Sequence, residues 1–321
     1  MMNVIESLGA STGKIVHSDK DCLNILELPI TEIMELFKSS GVLLFRGFGV
    51  TPGLMKTFSN KFSRAHITDF TKKSITSDKF VNFVDNGTIN RIAHSERAYL
   101  PLRPDVIWFC CTVPAEKGGE TLFWDGVRVW EELSEASKKL FLSKKLKFRH
   151  EVSSSSWEKH KYLYRIMYRS NSLFHQCLRM TSFFAFLMCQ FTNDLGALVN
   201  LKQALEELRG VSFQIDNEKQ TGYFEYVCSA VAKTRYGNQN AFANSFWVYQ
   251  KKTEKSIFED DSRASDEVAD EIEGVLERLV EEIPWQSGDL VMIDNSRFLH
   301  GRREFYDERR QVFTTLSNLR F

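Results

Sequence analysis

Short apolar runs bounded by glycine or proline alternate with amphipathic stretches over much of the chain. The run at 41–48 is almost wholly apolar, and Thr51-Pro52 follows it as a helix N-cap with proline at the first helical position. The pattern predicts a buried strand at 41–48 and a helix from there to about residue 62, preceded by a helix at 31–39.

The same pattern of apolar and polar positions predicts further elements toward the C-terminus. Strands are predicted at 89–96, 105–111, after the glycine pair 118–119, near 212–215, at 243–249, within 285–305 and at 311–319. Amphipathic helices are predicted at 127–140 and after Ser265, where the apolar positions recur at helical intervals.

The segment 153–209 breaks this rhythm of strands. Its apolar positions suggest helices, and its basic residues interleave with tyrosines, a pattern that would suit either a nucleic-acid groove or the surface of a helical insert. We favour an insert or lid that selects the substrate. Because the chain has no internal repeat and no low-complexity linker, we expect a single domain over residues 1–321.

Composition narrows the class of protein. Hydrophobic residues make up 43% of the chain, which excludes general disorder. Lysine plus arginine and aspartate plus glutamate both number 42, so no surplus of positive charge favours nucleic acid or an anionic membrane as partner. The six cysteines lack C-x-x-C spacing and the N-terminus lacks a signal-peptide pattern, so we expect free thiols and a cytoplasmic location.

The candidate chemistry begins with His94-Ser95-Glu96 on the strand predicted at 89–96. Alternate side chains of a strand face the same way, so His94 and Glu96 would share a face. An imidazole and a carboxylate placed in this way supply two of the three ligands of a facial site, and His300 would supply the third from a distant part of the chain. Two histidines, one carboxylate and open positions suit non-haem Fe(II).

An isolated H-x-E triplet is more often part of a solvated surface, so its interpretation depends on accompanying motifs. Those motifs occur in one order: Gly118-Gly119-Glu120-Thr121, then Asp294-Asn295 ahead of His300-Gly301-Arg302, then Arg309-Arg310. Together with H-x-E they resemble the TauD/TfdA-like (taurine dioxygenase and clavaminate synthase-like) Fe(II)/2-oxoglutarate oxygenases. The resemblance is nearest to hydroxylases of amino acids in natural-product pathways, and it is poor across 150–235.

This resemblance implies a β-rich α+β fold, a double-stranded β-helix (jelly-roll) core with flanking helices and a helical insert. It implies that His94, Glu96 and His300 are the catalytic Fe(II) ligands, with 2-oxoglutarate and O2 as co-substrates. Thr121 and either Arg309 or Arg310 would hold the distal carboxylate of 2-oxoglutarate. Different relatives favour different arginines, and on a strand only one of the two could face inward.

The implied activity is hydroxylation of an amino-acid-like or carboxylate-bearing small molecule, free or tethered to a carrier protein. Arg297, Arg302 and Arg303 are candidates to meet an acidic group of that substrate. A desaturase or epoxidase would have the same metal site, and a binding protein could have kept the fold without the chemistry. A halogenase of this fold would lack the carboxylate ligand, so the presence of Glu96 argues against a halogenase. The oligomeric state is left open.

Overall fold

A computed structural model describes residues 5–19, 24–69, 72–84, 88–101, 103–151, 158, 210–216, 218–219, 221–252 and 257–320. The insert predicted at 153–209 lies outside these residues, apart from position 158. Its helical character and its role in substrate selection therefore stay predictions.

Within the described residues, strands account for most of the regular structure. They are β1 (Ile5–Ser7), β2 (Lys14–His17), β3 (Val42–Arg46), β4 (Ser63–Ile67), β5 (Asn82–Phe83), β6 (Arg91–His94), β7 (Val106–Val113), β8 (Thr121–Asp125), β9 (Lys145–Glu151), β10 (Val211–Asp216), β11 (Thr221–Ser229), β12 (Ala232–Lys233), β13 (Asn240–Ala241), β14 (Glu281–Ile283), β15 (Asp289–Asp294), β16 (Phe298–Arg302) and β17 (Gln311–Leu319). The helices are α1 (Ile30–Ser40), α2 (Pro52–Phe62), α3 (Gly126–Glu132), α4 (Glu135–Ser143), α5 (Phe246–Lys252) and α6 (Asp266–Leu279), with a short 3-10 turn at Ile25–Glu27.

Two sheets, here called the large sheet and the small sheet, form the centre of the molecule, and in both the order of strands differs from their order in the sequence. An eight-stranded sheet runs β1-β2-β3-β15-β7-β17-β4, with β5 also paired to β17, and a four-stranded sheet runs β14-β8-β16-β6. All pairings in both sheets are antiparallel except β2 with β3. The described residues also form a three-stranded sheet, β10-β11-β9, and a two-stranded pair, β12-β13.

The apolar core lies in three layers. Side chains of both sheets, such as Phe109 on β7 and Phe123 on β8, pack together between the sheets. Helices α1 and α2 cover the outer face of the large sheet, and helices α3 to α6 cover that of the small sheet. Strand β7 is therefore buried on both faces, which explains its continuous apolar sequence: Cys110 faces the helices and Cys111 the inter-sheet layer.

Several sequence predictions are confirmed. The run at 41–48 contains β3, and α2 begins at Pro52 with the Thr51 hydroxyl oxygen accepting a hydrogen bond from the Leu54 N–H. The strand predicted at 311–319 is β17. Cys110 and Cys111 are free thiols, and burial raises the pKa of each to about 12.

The helix predicted at 127–140 is instead two helices, α3 and α4. Leu133 has an extended backbone, and the Ser134 hydroxyl accepts a hydrogen bond from the Ser137 N–H, so a new helix begins there. Glu271 of α6 fixes the break by accepting hydrogen bonds from the Ser134 main chain and the Ser137 hydroxyl at 2.5 Å each. A serine N-cap within an apolar pattern was the overlooked signal.

The prediction of a strand at 243–249 is wrong, because helix α5 begins at Phe246 and occupies most of this range. The Asn244 side-chain oxygen accepts a hydrogen bond from the Phe246 N–H at 2.8 Å and so starts the helix. A short apolar run cannot be assigned to strand or helix by periodicity alone. Strands β9 and β11 were not predicted.

No helix among the described residues is long and apolar enough to cross a membrane.

A buried histidine in the large sheet gives a testable dependence of stability on pH. Burial, with Lys56 nearby, lowers the pKa of His66 to about 4. The folded protein therefore excludes a proton that the unfolded chain binds, so stability falls as pH drops from about 6.5 toward 4. We expect the free energy of unfolding, measured with urea, to fall between pH 7.5 and pH 5 in both proteins. The fall should be about 2 kcal/mol larger for the wild type than for His66→Gln. Equal losses in both proteins would contradict this assignment.

Candidate metal site

Three potential metal ligands converge where β6 meets β16 in the small sheet. His94 and His300 are direct cross-strand partners, and their ring centroids lie 4.3 Å apart. The Glu96 Oε2 atom lies 3.5 Å from His300 Nε2. One ligand atom from each residue lies within 4.8 Å of the other two. Among the described residues this is the only group of three potential metal ligands so close together.

Glu96 reaches the site from a turn, and this corrects the sequence argument. Strand β6 ends at His94, and residues 96–99 form a turn. Arg97, directly after Glu96, has a left-handed backbone with φ 57°. The two ligands therefore converge through this turn and not through the alternation of side chains along a strand.

Hydrogen bonds hold the turn from two sides. The Ser95 N–H donates to the main-chain oxygen of Asn244 at 3.0 Å. The Glu96 N–H donates to Asn295 Oδ1 at 2.8 Å. Both asparagines are buried, so these bonds are shielded from competition with water.

The state of His94 suits metal binding. Its Nδ1 atom lies 2.7 Å from the Ile92 carbonyl oxygen, which can only accept, so Nδ1 carries the proton and Nε2 keeps its lone pair. Burial, together with the neighbouring His300, lowers the pKa of His94 to about 3. The ring is therefore neutral near pH 7, as a metal ligand must be.

Glu96 is ionised despite its burial. Burial alone would raise its pKa, but Lys72, with Nζ at 3.8 Å, and His300 hold the pKa of Glu96 well below its usual range. Two imidazoles and one carboxylate form the facial set that suits Fe(II) and leaves positions open for other ligands. His94, Glu96 and His300 thus fit a divalent metal by donor type and by spacing.

The glycine pair before β8 allows a close approach of three chain segments. Gly118 and Gly119 both have φ 74°, a conformation that favours glycine. A Cβ on Gly118 would lie 2.2 Å from the Glu304 main-chain oxygen, and one on Gly119 would lie 2.9 Å from Arg310 Nε. Any larger residue would push Arg310 away from the start of β8.

The two adjacent arginines have different surroundings. Arg310 is only 9% exposed, and its Nε and Nη2 donate to the Gly119 oxygen at 3.0 and 2.7 Å. The side chain of Arg309 is 69% exposed and pairs with Asp307 and Glu116 at the surface. Burial, with Arg302 nearby, lowers the pKa of Arg310 to about 10, so it remains a cation at neutral pH.

Thr121 lies between the metal ligands and this arginine. Its hydroxyl oxygen accepts a hydrogen bond from the Trp285 indole N–H at 3.1 Å, so its own proton can be donated elsewhere. In the β8–β16 pairing Thr121 is opposite Arg302, whereas His300 is opposite Phe123. Thr121 is therefore offset from His300 by two residues, about 7 Å along the strand.

The other arginines of this region have structural partners. Arg297 forms a bidentate ion pair with Asp125 at 2.6 and 3.0 Å, and Arg303 pairs with Glu282 near the surface. Arg302 is buried, donates to the Ile89 oxygen, and lies over the Phe305 ring, as Arg310 does. The ion pairs of Arg297 and Arg303 argue against their predicted contact with substrate.

Sequence reasoning did not assign roles to several residues that shape the site. Asn295 was noted only as part of a motif, and Lys72, Asn244 and Trp285 were not singled out. Asn295 binds a residue that lies 199 positions away in the sequence, so no local pattern indicates this role.

The chain is similar to known proteins in sequence and in fold. Residues 7–316 match the model of a family described as taurine catabolism dioxygenase TauD, TfdA family. The dapdiamide synthesis protein DdaC of Enterobacter agglomerans is 21% identical over 285 residues, which are 86% of this chain and 82% of that protein.

Solved structures share the fold at low sequence identity. The structure of AAD-2 in complex with Mn(II) and N-oxalylglycine superposes with a TM-score of 0.57 at 15% identity, covering 100% of this chain and 99% of that one. A taurine dioxygenase from Burkholderia xenovorans superposes with a TM-score of 0.56 at 12% identity, covering 98% and 89%.

Proposed function

The chain belongs to the TauD, TfdA family of dioxygenases, and we propose on this premise that it is an Fe(II)- and 2-oxoglutarate-dependent hydroxylase of an amino-acid-like or carboxylate-bearing small molecule. The observation that carries the proposal is the convergence of His94, Glu96 and His300 within 4.8 Å. This donor set is the one that Fe(II) oxygenases use.

Each protein group has a task in this proposal. Bound iron, 2-oxoglutarate and O2 supply the oxidation, in which a substrate C–H becomes C–OH while 2-oxoglutarate and O2 yield succinate and CO2. His94, Glu96 and His300 would hold the metal. Arg310 and Thr121 hold the distal carboxylate of 2-oxoglutarate, for which a guanidinium fork and a hydroxyl are suited.

The position of these groups agrees with the length of the co-substrate. Thr121 lies about 7 Å further along the sheet than His300, which is on the scale of a five-carbon diacid that binds metal at one end. Apolar side chains such as Phe109, whose ring centroid is 5.6 Å from that of His300, flank the metal site and would limit access of water.

We also propose that the two facing sheets form the double-stranded β-helix implied by the sequence resemblance. Their shared apolar layer and the location of all three ligands at the β6–β16 pair support this architecture. Solved structures that share the fold include taurine dioxygenases.

For the substrate, we propose a small molecule of natural-product assembly, either free or bound to a carrier protein. The similarity to a dapdiamide synthesis protein supports this class. The equal numbers of acidic and basic residues argue against nucleic acid.

An anaerobic titration tests the proposed activity. Adding Fe(II) and then 2-oxoglutarate to the apoprotein should give the weak visible charge-transfer band of a chelated keto acid. Admitting O2 with candidate amino acids, free or carrier-bound, should then release succinate and hydroxylated product. Absence of metal binding would refute the oxygenase assignment, and turnover stimulated only by folded protein or nucleic acid would refute the substrate class.

A further inference from the structure

The position of Glu96 raises a physical question, because no strand holds it. The turn that presents it continues into Arg97, whose φ of 57° is unfavourable for a residue with a side chain. Such a conformation is disfavoured and persists only where the surroundings over-determine it. Other groups must therefore fix the turn.

Asn295 is the side chain that does so most directly. Its Oδ1 accepts the Glu96 N–H at 2.8 Å, and its Nδ2 donates to the Glu96 carbonyl oxygen at 2.9 Å. Nδ2 also donates to the Pro104 oxygen at 2.9 Å. One amide thus binds both main-chain polar groups of a metal ligand, as a neighbouring strand would.

Asn295 is itself held rigidly. It is fully buried and follows directly after β15, and its N–H donates to the Asp105 main-chain oxygen at 3.0 Å. The Ser95 hydroxyl also donates to the Phe298 main-chain oxygen at 3.1 Å, which ties the turn to the strand that carries His300. The distance between Glu96 and His300 is therefore set through the 295–300 segment.

We infer that Asn295 is a positioning residue for the metal site: its amide fixes the Glu96 turn against β16 and thereby sets the metal affinity. The inference rests on the proposed metal site. It assigns Asn295 no contact with metal or substrate, so its influence passes through Glu96.

Asn295→Asp isolates the effect, because it keeps size and shape. Aspartate can still accept the Glu96 N–H. In the wild type Nδ2 donates to the Glu96 and Pro104 carbonyl oxygens, and aspartate places an acceptor against both of them. Both Nδ2 bonds, to the Glu96 and Pro104 oxygens, are lost, and repulsion takes their place. Asn295→Ala removes these two bonds and also the acceptor of the Glu96 N–H, without burying a charge, and it takes the place of Asn295→Asp if that variant does not fold.

The test is titration of the apoprotein with Co(II), followed by its visible absorption bands, with circular dichroism to establish folding. We expect wild-type protein to bind one Co(II) and the Asn295 variant to bind it 10–100 times more weakly, the range typical for an outer-shell partner of a ligand. The matched control is Asn82→Asp. Asn82 is also buried, lies on β5 of the large sheet, and its Nδ2 donates to the Lys79 main-chain oxygen at 3.4 Å, so Co(II) affinity should stay within about twofold of wild type.

The outcomes separate this inference from the proposed function. If wild-type protein binds Co(II) and the folded Asn295 variant binds it equally well, Asn295 has no positioning role. If wild-type protein binds no Co(II), the metal site itself is refuted. Equal weakening in the Asn295 and Asn82 variants would show a general loss of rigidity and would also overturn the inference.

Discussion

Alanine in place of His94, Glu96 or His300 is expected to remove metal binding and product formation together. Each change leaves two ligands at a site where the metal affinity needs three, so the loss should exceed the 10–100-fold typical of an outer-shell partner. Because metal binds only the folded form, wild-type protein should melt at a higher temperature when Fe(II) or Mn(II) is added anaerobically. In each alanine variant this increase in melting temperature should vanish, and succinate formation should fall to background.

The matched control for these variants is His66→Ala. His66 is also a buried histidine, and its Nδ1 lies 3.2 Å from Thr315 Oγ1, but it does not belong to the ligand group. It should retain stoichiometric metal and the metal-induced rise in melting temperature. Wild-type turnover in all three ligand variants would show that the metal site has been assigned to the wrong residues.

The sequence was most informative where burial on both faces constrained it. The central strands β3, β7 and β15 lie between two apolar layers, so their sequences are continuous apolar runs that are easily recognised. The candidate metal ligands were indicated by H-x-E together with the family resemblance, and the structure brings the three side chains together.

Local conformation set by side-chain hydrogen bonds was harder to predict. The Glu96 turn depends on Asn295, which lies far away in sequence, so no local pattern indicates that the strand ends at His94. Likewise, the Asn244 side chain starts helix α5 in an apolar run that reads equally well as a strand. In both cases one amide decides the backbone path, and periodicity carries no information about it.

The choice between the two arginines shows the same limit. Strand alternation predicts that one of them faces inward, but both precede β17 and lie in a turn. The Asp307 side chain accepts a hydrogen bond from the Arg309 N–H, and its main-chain oxygen accepts one from the Arg310 N–H. This turn directs Arg309 to the surface and Arg310 toward Gly119, a result that depends on tertiary contacts.

Replacing Arg310 with methionine is expected to weaken 2-oxoglutarate binding far more than any change at Arg309. Methionine keeps an unbranched side chain beside the Phe305 ring but removes the cation that lies over it, so the distal carboxylate is buried without a partner. Losing one member of a buried charge pair costs about 2–5 kcal/mol, or on the order of 30-fold to several thousand-fold in affinity. Lysine should rescue poorly, because it cannot reproduce the planar fork.

The measurement is anaerobic titration of the Fe(II) protein with 2-oxoglutarate, and Arg309→Met is the matched control. Arg309 makes its ion pairs at the surface, where water screens such pairs, so its loss should change 2-oxoglutarate affinity by less than about fivefold. Fe(II) affinity should be unchanged in both variants, since neither arginine is a ligand. Small, equal effects at both positions, or a larger effect at Arg309, would mean that the co-substrate carboxylate binds elsewhere.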